Sequence, residues 1–309
     1  QGASASIGCS LAAYPTTRFS DIYGLTADTA GCYGLSASSG GSGSWDKFTW
    51  KAGVDYQATP DVLLYGSVAT GYKPGGIQPN APDPISKTYD PEDVISYEVG
   101  AKLRLLDNTL SLRSAAFYVD YSNLQVFQVA STNSGVSLVT FNAAKARSKG
   151  IELEATWELS SVDHFSGFIN YIDASYTEYD GAIDARTGQN VGSIAGNQLP
   201  QAPKWQMRAQ YSRDFILKNG GKITPLAAIY YQSVSYTQAN NVSWYRVAPY
   251  SKTNLSLTWT DPTNSWSITV YVDNLEYNYV RTGEWACSGY VYSDFAPPRT
   301  WGVRVNWTY

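Results

Sequence analysis

Aromatic side chains and arginines crowd two stretches of the chain that are predicted to be loops. The first stretch carries Tyr236, Trp244, Tyr245 and Arg246, and the second carries Arg281, Trp285, Tyr290 and Tyr292. Aromatic faces stack on flat or sugar-like ligands, and arginines add charge-assisted hydrogen bonds to anionic groups such as those of chelates. These eight residues are therefore the candidate ligand-binding residues. The alternative interpretation is an aromatic belt at a membrane interface, which we prefer for Tyr277 and Tyr279.

Charged residues form a second group, but nothing in it predicts catalysis. Six of them alternate with apolar residues and so share the polar face of their strands: Lys51, Glu98, Lys102, Arg104, Glu152 and Glu154. No histidine or nucleophile accompanies them, and His164, the one histidine, lies beside a short turn. The absence of a Gly-x-Ser-x-Gly motif argues against an outer-membrane hydrolase, the enzymatic alternative. We predict no catalytic residue, no metal site and no cofactor.

The composition indicates how such residues are positioned. The chain of 309 residues has 25 Tyr, 10 Trp and 9 Phe but one Met, while charged residues make up 16% and the mean hydropathy is −0.28. A sheet with one lipid face, aromatic girdles and a wet interior needs this combination. No apolar run approaches the roughly 18 residues of a membrane helix. A net charge of −4 argues against a nucleic-acid partner.

Alternation with a period of two recurs along the chain and predicts strands. In 46–57, for example, Phe48, Trp50 and Val54 alternate with Lys47, Thr49 and other polar residues. About eleven such segments are present between residues 46 and 309. On this phase, seven tryptophans are predicted to face lipid: Trp50, Trp157, Trp205, Trp259, Trp266, Trp301 and Trp307.

The connections between these segments alternate between short and long. Asp107-Asn108 is typical of the short ones, whereas 73–91, 123–140 and 180–203 are long. This alternation distinguishes periplasmic turns from extracellular loops in an all-β transmembrane antiparallel barrel. Single-chain bacterial barrels have even strand numbers, so about eleven strands predict further strands upstream. Residues 1–45 are then an extracellular loop segment and residues 46–309 the carboxyl-terminal half of the barrel.

Several stretches resemble the carboxyl-terminal barrel half of TonB-dependent outer-membrane receptors. Residues 64–76 are similar to the family's strand that ends in Gly-aromatic-Lys-x-Gly-Gly, and Tyr89-Asp90-Pro91-Glu92 with 96–102 is similar to its next strand. Residues 142–154, which contain Lys-Gly-Ile-Glu, resemble another family stretch. The Val272-Asp273-Asn274-Leu275 stretch falls where the penultimate strand usually ends. The stretch 301–309 is similar to the signature read by the barrel-assembly machinery.

The resemblance implies a barrel of 22 strands in the bacterial outer membrane, with about half of them present here. It also implies a plug domain, which the six polar-face residues would contact; otherwise they form only a hydrated wall. The plug and the amino-terminal barrel half lie outside this sequence, and through the plug the receptor would engage the TonB-ExbB-ExbD complex. The implied function is energy-coupled uptake of a small molecule: a siderophore-like chelate, cobalamin, haem or an oligosaccharide. A passive porin or adhesion barrel is the alternative function.

Two of the three cysteines lie in one stretch rich in Gly, Ser and Ala. Because extracellular exposure permits oxidation, we predict a disulfide between Cys9 and Cys32, with Cys287 left over. In the chain-entropy model the disulfide stabilises this loop by roughly 3 kcal/mol.

Overall fold

The computed structural model describes residues 43–78, 81, 85, 87–132, 135–287 and 290–308. The predicted disulfide between Cys9 and Cys32 therefore lies outside the described residues, as does the segment 1–42. Within the described ranges, no helix is long and apolar enough to cross a membrane. Nearly all regular structure is β-strand.

Eleven long strands, here numbered β1 to β11, form one continuous antiparallel path. Their bounds are Lys51–Thr59, Val62–Lys73, Glu92–Leu105, Leu110–Thr132, Gly135–Glu158, Asp163–Tyr179, Trp205–Arg213, Lys222–Gln232, Tyr250–Thr260, Trp266–Asp273 and Thr300–Trp307. The shorter strand pairs are Gly76–Ile77 with Thr88–Tyr89, Phe215–Ile216 with β8, Ser235–Tyr236 with Arg246–Val247, and Arg281–Cys287 with Tyr290–Phe295. A short 3-10 helix covers Ser243–Tyr245. The predicted all-β fold with about eleven strands is confirmed.

Each long strand pairs with its neighbours in the sequence, so the sheet is a meander with two edges. Among the described residues, β1 pairs only with β2 and β11 pairs only with β10. The eleven strands therefore do not close on themselves, as the odd strand count predicts. The turns predicted to be short lie at one end of the sheet. The other end, which we call the long-loop end, carries the long connections together with the two-residue connection between β4 and β5.

The strand register separates an apolar face from a polar face across the eleven strands. Residues directly opposite each other in an antiparallel pair point to the same side, and Trp157 lies opposite Leu110 and Phe165 while Trp266 lies opposite Trp307. The same relations place all seven predicted tryptophans on the apolar face. The predicted phase of the strands is therefore confirmed. This face is the one suited to lipid.

Strands β4 and β5 are longer than the sequence pattern predicts. The predicted loop 123–140 is wrong, because β4 continues to Thr132 and β5 begins at Gly135. A bulge between Tyr121 and Leu124 breaks the alternation, and Asn123 takes a positive φ of 52° there. Since a bulge shifts the side-chain phase by one residue, the paired segment beyond it resembles a polar loop in the sequence.

Gly150, in the Lys-Gly-Ile-Glu stretch, leaves space for an aromatic ring on the neighbouring strand. It lies directly opposite Phe117, and a Cβ at this position would be 2.4 Å from the Tyr171 carbonyl oxygen and 2.8 Å from the Phe117 ring. Gly100 has the same relation to Tyr65, with 2.5 Å to the ring. An aromatic ring packed on a glycine shields backbone atoms that would otherwise be exposed. The glycine of this family-typical stretch is thus explained by packing.

We expect Gly150→Ala to destabilise the barrel by about 1–3 kcal/mol, because the backbone must move to admit the Cβ. The measurement is urea unfolding of the complete protein in detergent, followed by heat-modifiable gel mobility. Gly66→Ala is the matched control, since its Cβ would meet Val99 at an ordinary 3.7 Å. Equal stability of the two variants would contradict the packing explanation.

We expect Val270→Arg to cost roughly 2–4 kcal/mol, because Val270 lies on the apolar face midway along β10. The neighbouring Thr269→Arg places the same side chain on the polar face and is expected to be far milder. Folding yield into lipid vesicles measures both variants. A larger loss for Thr269→Arg would reverse the assignment of faces.

Candidate ligand-binding site

The six predicted polar-face residues do share one face of the sheet. Lys102 lies opposite Arg113, Arg113 lies opposite Glu154, and Glu152 lies opposite Asn170. Arg113 and Glu154 approach to 3.6 Å between Nη1 and Oε2, and both side chains are more than half exposed. Exposed pairs of this kind contribute little stability. The face is a hydrated wall whose charges are free to meet another polar surface.

Further cations continue this wall beyond those singled out from the sequence. They are Arg113, Arg208, Lys252 and Arg304, which the register places on the same face. The alternation in the sequence already places Arg208 and Arg304 on the polar face of their strands, whereas Arg113 lies in a segment whose alternation is less clean.

Three long connections at the long-loop end are bound to one another, and together we call them the loop assembly: 180–204, 233–249 and 274–299. Asn241 donates to the Gln198 carbonyl at 3.0 Å and accepts from the Gln198 amide at 2.7 Å. Gln201 donates to the Thr282 carbonyl at 3.1 Å. Each connection thus restricts the next, so the assembly presents a preformed surface.

Tyr245 is the buried centre of this assembly and not an exposed contact residue. Its side chain is 1% exposed, and its hydroxyl donates to Asp184 Oδ1 at 3.0 Å. Burial, together with the nearby Asp184, raises the pKa of Tyr245, so the phenol remains a donor at physiological pH. The prediction that Tyr245 contacts ligand is replaced by a structural role, because no surface of the ring remains accessible.

Arg281 also differs from its predicted role. Its guanidinium donates to Glu284 at 2.8 Å and to the Trp244 carbonyl, and the Glu284 side chain is buried. Glu284 accepts a further hydrogen bond from Thr237 at 3.0 Å. The charge of Arg281 is therefore neutralised within the loop assembly. It holds the Trp244 backbone in place and has little positive potential to offer an anionic ligand.

Trp244 and Arg246, two of the remaining candidates, lie at the surface of the assembly. Trp244 is 56% exposed, and Arg246 is exposed beside the half-buried Tyr236, which it pairs with across a short hairpin. The Arg186 guanidinium lies over the Trp244 ring, 4.9 Å from its centroid. A flat anionic ligand would find both a ring face and a cation here.

The hairpin of Arg281–Cys287 and Tyr290–Phe295 carries the last three candidates. Trp285 pairs with Tyr292, and Cys287 pairs with Tyr290. Tyr292 is 68% exposed. The structure thus brings Tyr236, Trp244 and Arg246 together on one connection, and it places Trp285, Tyr290 and Tyr292 on a separate hairpin of the same assembly.

Asp184, Arg186 and Glu284 were missed by reasoning from the sequence. Each is a single charged residue in a long connection, and only the folded contacts show that it is bound to an aromatic or cationic neighbour. The i and i+3 spacing of Arg281 and Glu284 was the one available signal.

The family-typical stretches also meet at the long-loop end, in a junction of hydrogen bonds. The Gln125 side chain is buried and donates to the Pro74 carbonyl at 2.9 Å and to the Asp90 carbonyl at 3.1 Å. Asn142 accepts from the Asp90 amide at 2.7 Å and donates to the Asp90 carbonyl at 2.8 Å. The stretches that contain Pro74, Asp90 and Asn142 are therefore joined by one network of hydrogen bonds.

Metal binding has no candidate centre among the described residues, where no three His, Cys, Asp or Glu side chains are grouped as ligands. His164 contacts Glu158 near a short turn, with its side chain partly exposed. This is the surface position that the sequence predicts for it.

Comparison with known proteins gives a consistent result. The family described as "TonB dependent receptor-like, beta-barrel" matches residues 11–275. The metal-pseudopaline receptor CntO of Pseudomonas aeruginosa is 36% identical over 151 residues, which are 49% of this chain and 20% of that protein. The pesticin receptor of Yersinia pestis is 29% identical over 245 residues, which are 78% of this chain and 33% of that protein. The chain thus spans a third or less of the length of these relatives.

The fold has solved counterparts as well. The crystal structure of the ferric yersiniabactin uptake receptor FyuA from Yersinia pestis superposes with a TM-score of 0.66 at 25% identity, covering 84% of this chain and 36% of that one. The siderophore receptor PiuA from Acinetobacter baumannii superposes with a TM-score of 0.65 at 22% identity, covering 84% and 36%. By their names these relatives are receptors and not enzymes.

We expect Tyr245→Phe to loosen the loop assembly, because the buried Asp184 carboxylate loses a donor at a cost of roughly 1.5–3 kcal/mol. Hydrogen exchange of residues 233–249 should accelerate, whereas exchange in β8 and β9 should not change. Tyr292→Phe is the control, since that ring is exposed. Unchanged exchange in Tyr245→Phe would show that the hydroxyl does not hold the assembly together.

Proposed function

The chain belongs to the TonB-dependent receptor β-barrel family, and on that premise we propose that the complete protein imports a metal chelate by energy-coupled transport. The observation that carries the proposal is the family match over residues 11–275, whose motif stretches form the hydrogen-bonded junction around Gln125 and Asn142. The barrel itself is a component of the bacterial outer membrane.

Chelates are favoured over the other substrate classes by the named relatives. CntO is a receptor for metal-pseudopaline, and FyuA takes up ferric yersiniabactin. Cobalamin, haem and oligosaccharides have no such support here. A passive porin or adhesion barrel is not favoured either, since the relatives are receptors of one family.

The proposed ligand surface combines exposed rings with cations at the extracellular end of the barrel. Trp244, stacked with Arg186, would contact the flat part of the chelate, and Arg246 would pair with its anionic groups. Tyr236, Trp285, Tyr290 and Tyr292 would extend this surface. Tyr245 and Arg281 would hold the loops in the binding geometry, which reduces the entropy lost on binding.

The polar wall would face the plug. Lys51, Glu98, Lys102, Arg104, Glu152 and Glu154 carry both signs of charge, which suits hydrogen bonds to a polar domain that must later move. Energy for that movement would come from the TonB-ExbB-ExbD complex acting on the plug. The apolar face would contact outer-membrane lipid.

The proposal is tested with the complete receptor and two probes, ferric yersiniabactin and metal-loaded pseudopaline. We expect one probe to quench tryptophan fluorescence on binding, and its uptake by cells to stop when TonB is deleted while surface binding persists. TonB-independent uptake would sink the energy-coupled mechanism and favour the porin.

We expect Trp244→Ala to weaken binding of that probe about tenfold or more, as is typical when a central aromatic contact is truncated. Tyr279→Ala is the control, because Tyr279 is an exposed aromatic predicted to belong to the membrane belt. Equal losses in the two variants would remove Trp244 from the ligand surface.

A further inference from the structure

Arg186 lies at the tip of a tight hairpin in the 180–204 connection, and its backbone position is fixed. Asp184 and Gln189 pair across this hairpin, since the Asp184 amide donates to the Gln189 carbonyl at 2.9 Å. The Arg186 amide donates to Asp184 Oδ1 at 2.9 Å, and the same oxygen accepts from the buried Tyr245 hydroxyl. Arg186 is therefore anchored to the centre of the loop assembly.

The guanidinium of Arg186 keeps its charge available, unlike that of Arg281. In the part of the chain that the structure describes, Arg186 forms no ion pair, whereas Arg281 is paired with the buried Glu284. Arg246, exposed on the 233–249 connection, forms no ion pair with the described residues either. The loop assembly thus holds two guanidinium groups whose charge is not neutralised locally, and such groups attract an anion.

One donor of the Arg186 guanidinium is shielded from water and yet lacks a hydrogen bond. Among the described residues, the buried side-chain atoms without a hydrogen-bond partner are Arg186 Nε, Asn240 Oδ1 and Asp93 Oδ1. Asp93 Oδ1 lies 2.5 Å from Lys47 Nζ in an ion pair, so the two atoms that remain both belong to the loop assembly. Because folded proteins satisfy nearly all buried polar atoms, the free Nε indicates an acceptor that comes from outside the chain.

Trp244 lies directly against this guanidinium, which is positioned over its ring. The Trp244 backbone is held in place, because its carbonyl accepts a hydrogen bond from Arg281. The ring itself is exposed, and exposed side chains change rotamer within nanoseconds. The ring is therefore able to turn on a fixed backbone, and turning it away would open Arg186 Nε to a ligand.

The geometry of a guanidinium selects among the groups that metal chelates carry. Nε and one Nη donate in parallel, and their spacing matches the two oxygens of a carboxylate. Hydroxamate and catecholate groups commit both of their oxygens to the metal. A carboxylate outside the coordination sphere keeps both oxygens free, so it is the group that satisfies the Arg186 donor pair.

We propose that Arg186 binds a free carboxylate of the imported ligand through Nε and Nη, and that the ligand is therefore a carboxylate-bearing metal chelate. This inference rests on the proposed function and narrows its substrate class. Trp244 would turn aside to admit the carboxylate and then stack on the flat part of the chelate. Arg246 would bind a second anionic group, and Arg186 would discriminate among chelates.

The first test uses the complete wild-type receptor and needs no variant to fold. Tryptophan fluorescence titration compares ferric yersiniabactin and metal-loaded pseudopaline with ferric citrate, ferrichrome and ferric enterobactin. We expect the tightest binder to carry a carboxylate outside the coordination sphere of the metal, and its primary-amide derivative to bind about tenfold more weakly. A tightest binder without such a carboxylate, or an amide that binds equally well, would overturn the proposal. If no metal chelate binds, the proposed function fails with it.

The second test uses Arg186→Lys, which keeps the charge but removes the parallel donor pair. We expect the preference for the acid over its amide to fall from about tenfold to about twofold, while hydrogen exchange of residues 233–249 stays unchanged. Arg299→Lys is the matched control and should keep the full preference, since Arg299 also lies over a ring, that of Tyr277, but is exposed.

An undiminished preference for the acid in Arg186→Lys would show that Arg186 does not bind the carboxylate. If uptake of the chelate still depends on TonB in that case, the proposed function stands and only this inference falls. Accelerated hydrogen exchange of residues 233–249 in Arg186→Lys would also overturn the proposal, because the loss of binding would then follow from a loosened loop assembly.

Discussion

Every amide and carbonyl within the hydrocarbon layer needs a partner in the protein, because lipid supplies none. The meander satisfies this requirement for the nine strands between β1 and β11, each of which is hydrogen-bonded on both sides. All other features depend on that ladder. Its register fixes which side chains share a face, and β1 and β11 are its two edges among the described strands.

The ladder turns a single alternation into two surfaces with different chemistry. One face carries the tryptophans and branched aliphatic residues, and the other carries Lys102, Arg113, Glu152 and Glu154. Above the membrane the solvent changes but the alternation persists. There the outward phase carries the ion pair of Arg147 with Asp120, and the phase of the polar face packs Ala146 and Tyr176 against the 180–204 connection. The same strands thus present an apolar face lower down and pack against the loop assembly at their long-loop end.

The sequence predicts the parts of this molecule that depend on alternation, and it fails where contacts are formed between distant loops. The number of long strands and the faces of Trp266 and Trp307 follow from a period of two. The β4–β5 extension does not, since a bulge at Asn123 changes the phase. Tyr245 and Arg281 have the residue types of a ligand site, yet their partners, Asp184 and Glu284, lie 61 and 3 positions away and neutralise or bury them. Composition cannot distinguish a ring that holds a loop from one that holds a ligand.

The pairing of each long strand with its sequence neighbours affects how the sheet is able to assemble. Each hydrogen-bonded pair joins strands that are adjacent along the chain, so every step of assembly closes one loop and requires no threading past finished strands. The entropy lost on closing a loop rises only slowly with its length, and the long connections therefore add little to the barrier. A chain organised in this way is able to grow by one hairpin at a time. Duplication or loss of a hairpin leaves the remaining register intact, so strand number is free to vary while the wall keeps its two faces.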